Sequence, residues 1–359
     1  MSRSSLGNAQ RIHLIVPELL SRPMLDMASC HPYNPDQHSL HTLLSRASSV
    51  QHTALNFDHA LFSLLGVETT TQQDLPLAAC AARVELKQND SDWLLLEPVH
   101  LRADQATLRL FDAQVLGLEA EEINALFAAC QAFFAEHGLV LERGEGQYWY
   151  LQFSQCTAIT TTSLYEVIGQ SIDPLLPVGD DAMYWHRLMN ELQMMLHTHP
   201  VNVEREDKRQ PMVNSVWLWG GGSLPTIKNS TFSSVWGGAV EARGLAQAVG
   251  VVHAPLPSGL SEINLQQLSA GDHLLIIDSL LRHAAYQDVD DWFDAQVQLC
   301  RDWFQPLLEA LRERRVDELV IYPVNGRCYR VGRRHLYCFW RRVKNLSAFK
   351  ENVPGRFET

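Results

Sequence analysis

The chain alternates short apolar runs with longer amphipathic stretches over most of its length. Apolar runs of strand length lie at residues 12–16, 274–277 and 319–322. Such unbroken runs are typical of strands that are buried on both faces of a sheet. Residues 181–197 and 291–315 instead carry apolar side chains at helical spacing. This alternation predicts an α/β core with a mostly parallel sheet and helices on both faces.

The stretch from residue 80 to residue 154 has a different pattern, in which short strands surround one amphipathic helix with Leu126 and Phe134 on its apolar stripe. The predicted strands are 82–86, 93–97, 107–111, 139–142 and 148–153. We therefore predict an inserted α+β cap domain at residues 80–154. Residues 1–79 and 155–359 would form the α/β core.

Several local predictions concern the C-terminal half of the chain. Residues 216–219 are predicted as a strand of the core, and the segment around 200–205 as extended chain. Pro306 is expected to kink the helix at 291–315. The pair Asn325-Gly326 is expected to start a hairpin through 328–331 and 335–340.

Composition places the chain among soluble folded proteins. It is 46% hydrophobic and 19% charged, which provides enough apolar surface for a core. No stretch approaches the ~18 apolar residues of a membrane span. Residues 1–11 are polar and lack the apolar segment of a signal peptide. Seven cysteines without a CxxC pair fit a reducing compartment, so we expect a cytoplasmic protein that does not contact a membrane.

The net charge of −12 argues against nucleic-acid binding. The charge is uneven, because residues 311–359 carry twelve Lys or Arg against five Asp or Glu, a net of +7. This basic end is either a surface for a partner or anion, or a solvated face paired with acidic neighbours. Its predicted hairpin carries four arginines: Arg327, Arg330, Arg333 and Arg334.

Two segments are candidates for anion binding. Gly220, Gly221 and Gly222 follow a predicted strand and could present backbone N–H groups to a phosphate, with Lys228 as the charged partner. A loop that only needs positive φ explains the glycines equally. Asn202 and Arg205 could bind a carboxylate or phosphate, or could clamp a neighbouring loop.

Acidic and histidine side chains form only loose groups in the sequence. Asp288 stands where a helix is expected to begin, so capping is an alternative to metal binding. No Ser, Cys or Thr stands in a nucleophile-elbow context. The residues that could supply ligands to a metal are Asp58, His59, Asp272, His273, Asp278, His283 and Asp288.

One ordered series of residues resembles a known family. The matching residues are Asn190, Glu191, Pro200, Asn202, Arg205, Asn214, Gly220, Gly222, Pro225, Gly244, Leu245 and Gly250. The series is similar to the central block of archaeal-type cofactor-independent phosphoglycerate mutases, members of the alkaline-phosphatase superfamily. Residues 59–66, 84–87 and 172–174 extend the likeness. Within this neighbourhood the chain most resembles the bacterial group of RpfE-type regulatory proteins.

The resemblance implies an alkaline-phosphatase-like core with two divalent ions that activate a Ser or Thr nucleophile. At the implied positions this chain carries Pro17-Glu18, Phe57-Asp58, then Asp278, His283 and Gln287, and finally Pro323-Val324-Asn325. A phenylalanine replaces the nucleophile, and proline and valine side chains cannot coordinate a cation. The resemblance together with these substitutions predicts a protein that keeps the fold of these enzymes but does not catalyse phosphoryl transfer.

We therefore expect a phosphoglycerate-mutase-like protein with a degenerate metal site, which is non-catalytic and either regulatory or binds a ligand or partner. No cofactor is expected. A small phosphorylated metabolite would bind at Asn202, Arg205, Asn214, the three glycines and Lys228, and a protein partner would bind at the cap or the basic hairpin. The alternative is a metal-dependent mutase or phosphoesterase with rearranged ligands, which would use Mn²⁺ or Zn²⁺.

Overall fold

The computed structural model describes residues 10–52, 54, 56–67, 74–88, 92–104, 107–144, 148–153, 159–222, 230–338 and 340–350. The chain divides into two compact units. The first unit comprises the two ends of the chain, Met1–Glu68 and Ile227–Thr359, and the second comprises Thr69–Thr226. The second unit is therefore an insertion in the first.

The strands of the described residues are, in chain order, β1 (Gln10–Ile15), β2 (Ser48–Gln51), β3 (Asp92–Asp104), β4 (Thr107–Asp112), β5 (Val140–Arg143), β6 (Trp149–Phe153), β7 (Ile159–Thr160), β8 (Val178–Gly179), β9 (Ser215–Gly222), β10 (Phe232–Trp236), β11 (Val252–Ala254), β12 (Gly271–Ile276), β13 (Glu318–Tyr322) and β14 (Arg327–Gly332).

The α-helices of the described residues are α1 (Arg22–Met27), α2 (His38–Arg46), α3 (Phe57–Leu64), α4 (Leu77–Glu85), α5 (Ala113–Leu116), α6 (Ala120–Glu136), α7 (Leu164–Val167), α8 (Ala182–His197), α9 (Pro200–Asp207), α10 (Val240–Ala248), α11 (Ser279–Ala285), α12 (Val289–Leu299), α13 (Gln305–Arg312) and α14 (Arg333–Leu336). None of them is both long and apolar enough to span a membrane.

The first unit is built on a seven-stranded sheet in the order β11-β10-β12-β1-β13-β14-β2. The strands from β11 to β13 run parallel, and β14 and β2 continue the sheet antiparallel at one edge. The prediction of a mostly parallel α/β sheet is therefore confirmed. Ile12 and Leu14 of β1 and Ile321 of β13 lie in one apolar cluster with Trp303, Phe304 and Leu307 of the helical stretch that covers this face.

The second unit is an antiparallel sheet packed against helices. Strand β3 pairs with β4, β6 and β9, and β5 pairs with β6. Apolar side chains of α6 and α8 pack on it, among them Leu126, Phe134, Trp185 and Leu192. A separate pair, β7 and β8, is also antiparallel.

The inserted unit is larger than the predicted cap at 80–154. Strand β9, which was predicted as part of the core, instead pairs antiparallel with β3 along residues 215–222. Helix α8 packs in the same cluster as β3 and β9. Residues 69–79 and 155–226 thus belong to the second unit. The sequence did not predict this, because pairing between strands that are distant in the chain produces no local sequence pattern.

Three local predictions were wrong. Residues 82–86 lie mostly in helix α4, and Asn202 and Arg205 lie in helix α9, which begins at Pro200 in the position that favours proline. The described residues 335–338 and 340 are not in a strand, and α14 occupies the start of that segment. The turn at Asn325-Gly326 instead joins β13 to β14. The stretch at 291–315 is interrupted by a π-helical turn at Cys300–Phe304, just before Pro306.

Candidate functional site

The carboxyl ends of three parallel strands meet at one edge of the first unit's sheet. The Val16 N–H donates to the Tyr322 carbonyl at 2.9 Å, and the Ile277 N–H donates to the Ile15 carbonyl at 2.9 Å. Pro17, Asp278 and Pro323 each directly follow one of these hydrogen-bonded residues. They therefore lie at the same edge of the sheet, on neighbouring chain segments. In open α/β sheets this edge is where ligands bind, and it is where the resemblance implied metal ligands.

Three of the residues at this carboxyl edge cannot bind a cation through their side chains. Pro17, Pro323 and Val324 have no side-chain donor atom that could bind one. The backbone is strained there, because Glu18 and Val324 both have φ of 61°. A β-branched residue in the left-handed region is a genuine outlier. The Asn325 side chain is used locally, since its Oδ1 accepts from the Arg327 N–H at 3.3 Å.

Asp278 is the acidic side chain that follows β12 at the carboxyl edge, with Ile277 between them. Burial raises the pKa of its carboxyl above the usual range, and a hydrogen bond from its own backbone opposes this only in part. A metal ligand must be ionised. Burial therefore makes the ionised form of Asp278 less favourable than it is for an exposed aspartate.

Among the other proposed metal ligands, His273 and Asp288 have protein partners. His273 lies between Ser234, whose Oγ is 2.7 Å from Nδ1, and the Ser269 carbonyl, 2.8 Å from Nε2. Asp288 caps α12 by accepting from the Asp291 N–H at 3.2 Å, as the capping alternative requires. Asp58 and His59 lie in the first turn of α3, and His283 lies in α11. Within the described ranges, no three His, Cys, Asp or Glu side chains form a group that could hold a metal.

A polar cluster lies on the sheet itself. His13 Nδ1 is 3.1 Å from the Tyr322 hydroxyl, and His13 Nε2 is 3.4 Å from Asp272 Oδ1. Asp272 also accepts from the Arg11 guanidinium, with 2.7 Å between Oδ2 and Nη2. Burial lowers the pKa of His13 to about 4, although Asp272 acts in the opposite direction. The imidazole is therefore neutral near pH 7 and can accept a hydrogen bond from Tyr322.

Asn202 is completely buried in the second unit. Its Nδ2 donates to the carbonyls of Leu196 at 2.8 Å and Val213 at 2.7 Å, and its Oδ1 accepts from the Val213 N–H at 2.8 Å. These three bonds join the end of α8 to the segment before β9. The amide is occupied by the chain, as expected for a structural clamp.

Arg205 is 1% exposed and has three partners. Its Nε donates to the Pro211 carbonyl at 2.8 Å, Nη2 to the Leu116 carbonyl at 2.5 Å, and Nη1 to Glu122 Oε2 at 2.8 Å. Burial alone would raise the pKa of Glu122, but a backbone N–H and Arg205 lower it. The guanidinium thus binds an internal carboxylate.

Asn214 is also used within the fold. Its Oδ1 accepts from the Leu101 N–H at 2.7 Å, and its Nδ2 donates to the Leu101 carbonyl at 2.8 Å. These contacts hold the segment before β9 against β3. With Asn202 and Arg205, this makes three of the proposed anion-binding side chains interior connectors.

The triple glycine at the end of β9 surrounds a carboxylate of the same chain. Gly220 and Gly222 have φ of 70° and 126°, which satisfies the conformational alternative. The Gly220 N–H donates to Thr161 Oγ1 at 3.1 Å, and the Gly221 backbone hydrogen-bonds Asp74. Lys228 lies outside the described residues.

Asp74 is a residue that sequence reasoning missed. It accepts from the Thr161 N–H at 2.7 Å and from the Thr161 hydroxyl. Burial raises the pKa of Asp74 to about 6, against the effect of its hydrogen bonds from Thr161 and Gly221. Thr161 is 87 positions away, so no local pattern could reveal the contact. The glycine turn does receive an anionic group, and that group is internal.

Comparison with known proteins gives partial matches to one kind of enzyme. The chain is 28% identical over 180 residues to a probable 2,3-bisphosphoglycerate-independent phosphoglycerate mutase of Geobacter sulfurreducens, which covers 49% of this chain and 44% of that protein. It is 26% identical over 204 residues to the mutase of Methanosarcina barkeri, with 54% and 49% covered. A 93-residue segment is 33% identical to the Methanosarcina mazei mutase, with 25% and 23% covered. The chain thus spans less than half the length of these relatives.

Two solved structures align over most of the chain. A cofactor-independent phosphoglycerate mutase from Thermoplasma acidophilum is 14% identical, with 96% of this chain and 95% of that chain covered and a TM-score of 0.45. A protein of Pyrococcus horikoshii is 14% identical, with 90% and 87% covered and a TM-score of 0.49. No family model matches the chain. In sequence, over about half of its length, the chain is therefore similar to 2,3-bisphosphoglycerate-independent phosphoglycerate mutases.

Proposed function

We propose that this chain is a phosphoglycerate-mutase-like protein whose metal site is degenerate and which acts by binding rather than by phosphoryl transfer. One observation carries the proposal: Pro17, Pro323 and Val324 stand at the carboxyl edge, where neighbouring parallel strands end together. Asp278 is left there as a buried carboxyl with a raised pKa.

The physical argument concerns charge. Transfer of a phosphoryl group through two metal ions needs several ionised ligands around each ion and an activated nucleophile. Proline and valine supply none, and Phe57 cannot attack phosphorus. Most of the rate enhancement in such reactions comes from positioned charge. A scaffold without that charge retains a fold and a surface, and binding is the function left to it.

The proposal includes the finer identification as an RpfE-type regulatory protein of a bacterial cytoplasm. Sequence resemblance supports the regulatory group. The cysteines support a reducing compartment, because Cys30, Cys80, Cys130, Cys300, Cys328 and Cys338 are all free. Burial raises the pKa of both Cys130 and Cys300 to about 12, so these thiols are unreactive.

The test is a turnover assay. The purified chain is incubated with 3-phosphoglycerate and Mg²⁺, Mn²⁺ or Zn²⁺, and 2-phosphoglycerate and released phosphate are measured. We expect no product above that of a heat-denatured sample. Turnover that disappears in Asp278→Asn and persists in Asp294→Asn, an exposed position in α12, would overturn the proposal. It would favour the metal-dependent enzyme with rearranged ligands.

A further inference from the structure

A cavity of about 540 Å³ opens beside strands β2 and β14 of the first unit. Its volume lies within the roughly 300–1,000 Å³ that is usual for small-molecule sites. We call it the basic pocket and define it by the five cationic side chains among its lining residues: Arg327, Arg341, Arg342, Lys344 and Lys350. The basic pocket belongs to the first unit, whereas Asn202, Arg205, Asn214 and the three glycines belong to the second.

The charge of the basic pocket opposes that of the whole chain. Five of its lining residues are Lys or Arg and none is Asp or Glu, whereas the chain as a whole carries −12. A concave surface of one sign concentrates counter-ions of the other sign. The pocket is therefore a local anion attractor on an acidic protein.

Three of the five cations are held in place by the protein. Arg341 Nη1 donates to the carbonyls of Arg46 at 2.9 Å and Ala47 at 3.0 Å, and among the described residues no acid pairs with it. Arg327 Nη1 donates to the Ser49 hydroxyl at 3.0 Å. Lys350 pairs with Asp26. Guanidinium groups fixed by neutral carbonyls are preorganised for an anion.

Arg342 and Lys344 supply charge that the described chain does not use. Both are exposed, and neither side chain makes a hydrogen bond or ion pair within the described residues. The Lys344 backbone is fixed, because its N–H donates to Ser45 Oγ at 2.8 Å. A fixed backbone keeps both side chains beside the cavity, so that binding has to order only the side chains.

The remaining lining residues suit a phosphorylated molecule. The Ser49 hydroxyl is a further donor, whereas the Ser48 hydroxyl donates to the Arg330 carbonyl at 3.3 Å. Tyr329 and Phe349 meet edge to face with ring centroids 6.0 Å apart. Several cations around one cavity match the charge of linked phosphates better than that of a single carboxylate. We propose that the basic pocket binds the oligophosphate group of a small molecule.

Calorimetric titration of the whole chain tests this with tripolyphosphate, ATP, orthophosphate and adenosine as probes. We expect tripolyphosphate and ATP to bind saturably at one site, orthophosphate to bind at least about tenfold more weakly, and adenosine not to bind. Added NaCl should weaken binding because the charges are exposed. Tighter binding of ATP than of tripolyphosphate would extend the site to a nucleoside, and equal binding would limit it to the phosphates.

The decisive variant is Arg342→Glu with Lys344→Glu. It should lower the affinity for tripolyphosphate about tenfold or more while the unfolding temperature stays unchanged. The control is Arg243→Glu with Arg312→Glu, which makes the same change in net charge at exposed sites outside the pocket and should keep the affinity. The proposal is overturned if no probe binds saturably, or if both variants lose equal affinity. The turnover assay is separate, since the pocket does not involve the carboxyl edge.

Discussion

Asn202 and Arg205 show how one pair of residues fits two roles in a sequence. An Asn and an Arg three positions apart are suited to bind an anion, and equally suited to bind carbonyl groups of the chain. In the structure they bind Leu196, Val213, Pro211 and Leu116 together with the carboxylate of Glu122. Only the partners distinguish the roles, and these are set by tertiary contacts.

Replacing Asn202 tests the clamp. Asn202→Ala leaves the N–H and carbonyl of Val213 without the amide that pairs with them, whereas the Leu196 carbonyl keeps the His199 N–H at 3.1 Å. We expect the free energy of unfolding to fall by about 2–4 kcal/mol. Asn190→Ala, at an exposed position of α8, should change it by less than about 0.5 kcal/mol. Urea unfolding of both variants measures the difference, and equal small effects would contradict the clamp.

His13 gives a prediction for pH. Its pKa in the fold is about 4, below the ordinary value of 6.5, because burial disfavours the charged ring. Between pH 6.5 and 4 the unfolded chain therefore takes up a proton that the folded chain refuses, and stability falls as the pH falls. The loss is on the order of 2–3 kcal/mol.

The matched variant for this prediction is His13→Gln, which keeps a polar group between Tyr322 and Asp272 and cannot titrate. Burial alone would raise the pKa of Asp272, but Arg11 and His13 lower it below its ordinary 3.8, so its own contribution is lost at lower pH. The difference in stability between wild type and variant should therefore change between pH 6.5 and 4. Parallel stability curves over that range would rule out this account of His13.

At the scale of elements, short-range sequence patterns predicted several strands and helices correctly. Strands β1, β12 and β13, helix α8 and the Asp288 cap of α12 all lie where short-range patterns predicted them. The failures were long-range or ambiguous. The prediction of a strand at 82–86 was wrong, because a short apolar run fits a strand or a buried helix, and most of these residues lie in α4. The pairing of β9 with β3 could not be predicted, because the paired residues are more than a hundred positions apart in the sequence.

The glycine turn after β9 gives an element-scale prediction. A Cβ on Gly221 would lie 2.9 Å from Leu94 Cδ2 in a buried site. We expect Gly221→Ala to lower the free energy of unfolding by about 1–3 kcal/mol. Gly238→Ala, where a Cβ meets nothing within 4 Å, should be nearly neutral. Thermal unfolding of the two variants measures this, and a neutral Gly221→Ala would show that the turn is not packed as described.

The two units use their polar and charged side chains differently. The second unit uses its polar pairs internally, with Asp74 in the glycine turn and Glu122 on Arg205. The first unit carries the carboxyl edge and the basic pocket. The sequence predicted an insertion and a basic C-terminal end, but only Arg327 of the four named arginines lines the pocket. The other cationic residues of the pocket are Arg341, Arg342, Lys344 and Lys350, which follow α14 in the chain. The fold places them beside β2 and β14.

The central claim is that the carboxyl edge no longer holds divalent metal ions, and direct titration with Mn²⁺ tests it. A metal site that uses the Asp278 carboxylate would bind Mn²⁺ saturably and would lose affinity when that carboxylate is removed. We predict no saturable Mn²⁺ binding to the whole chain by calorimetry near pH 7, and no difference between wild type and Asp278→Asn. Stoichiometric binding that Asp278→Asn abolishes, and that Asp294→Asn leaves intact, would contradict the account.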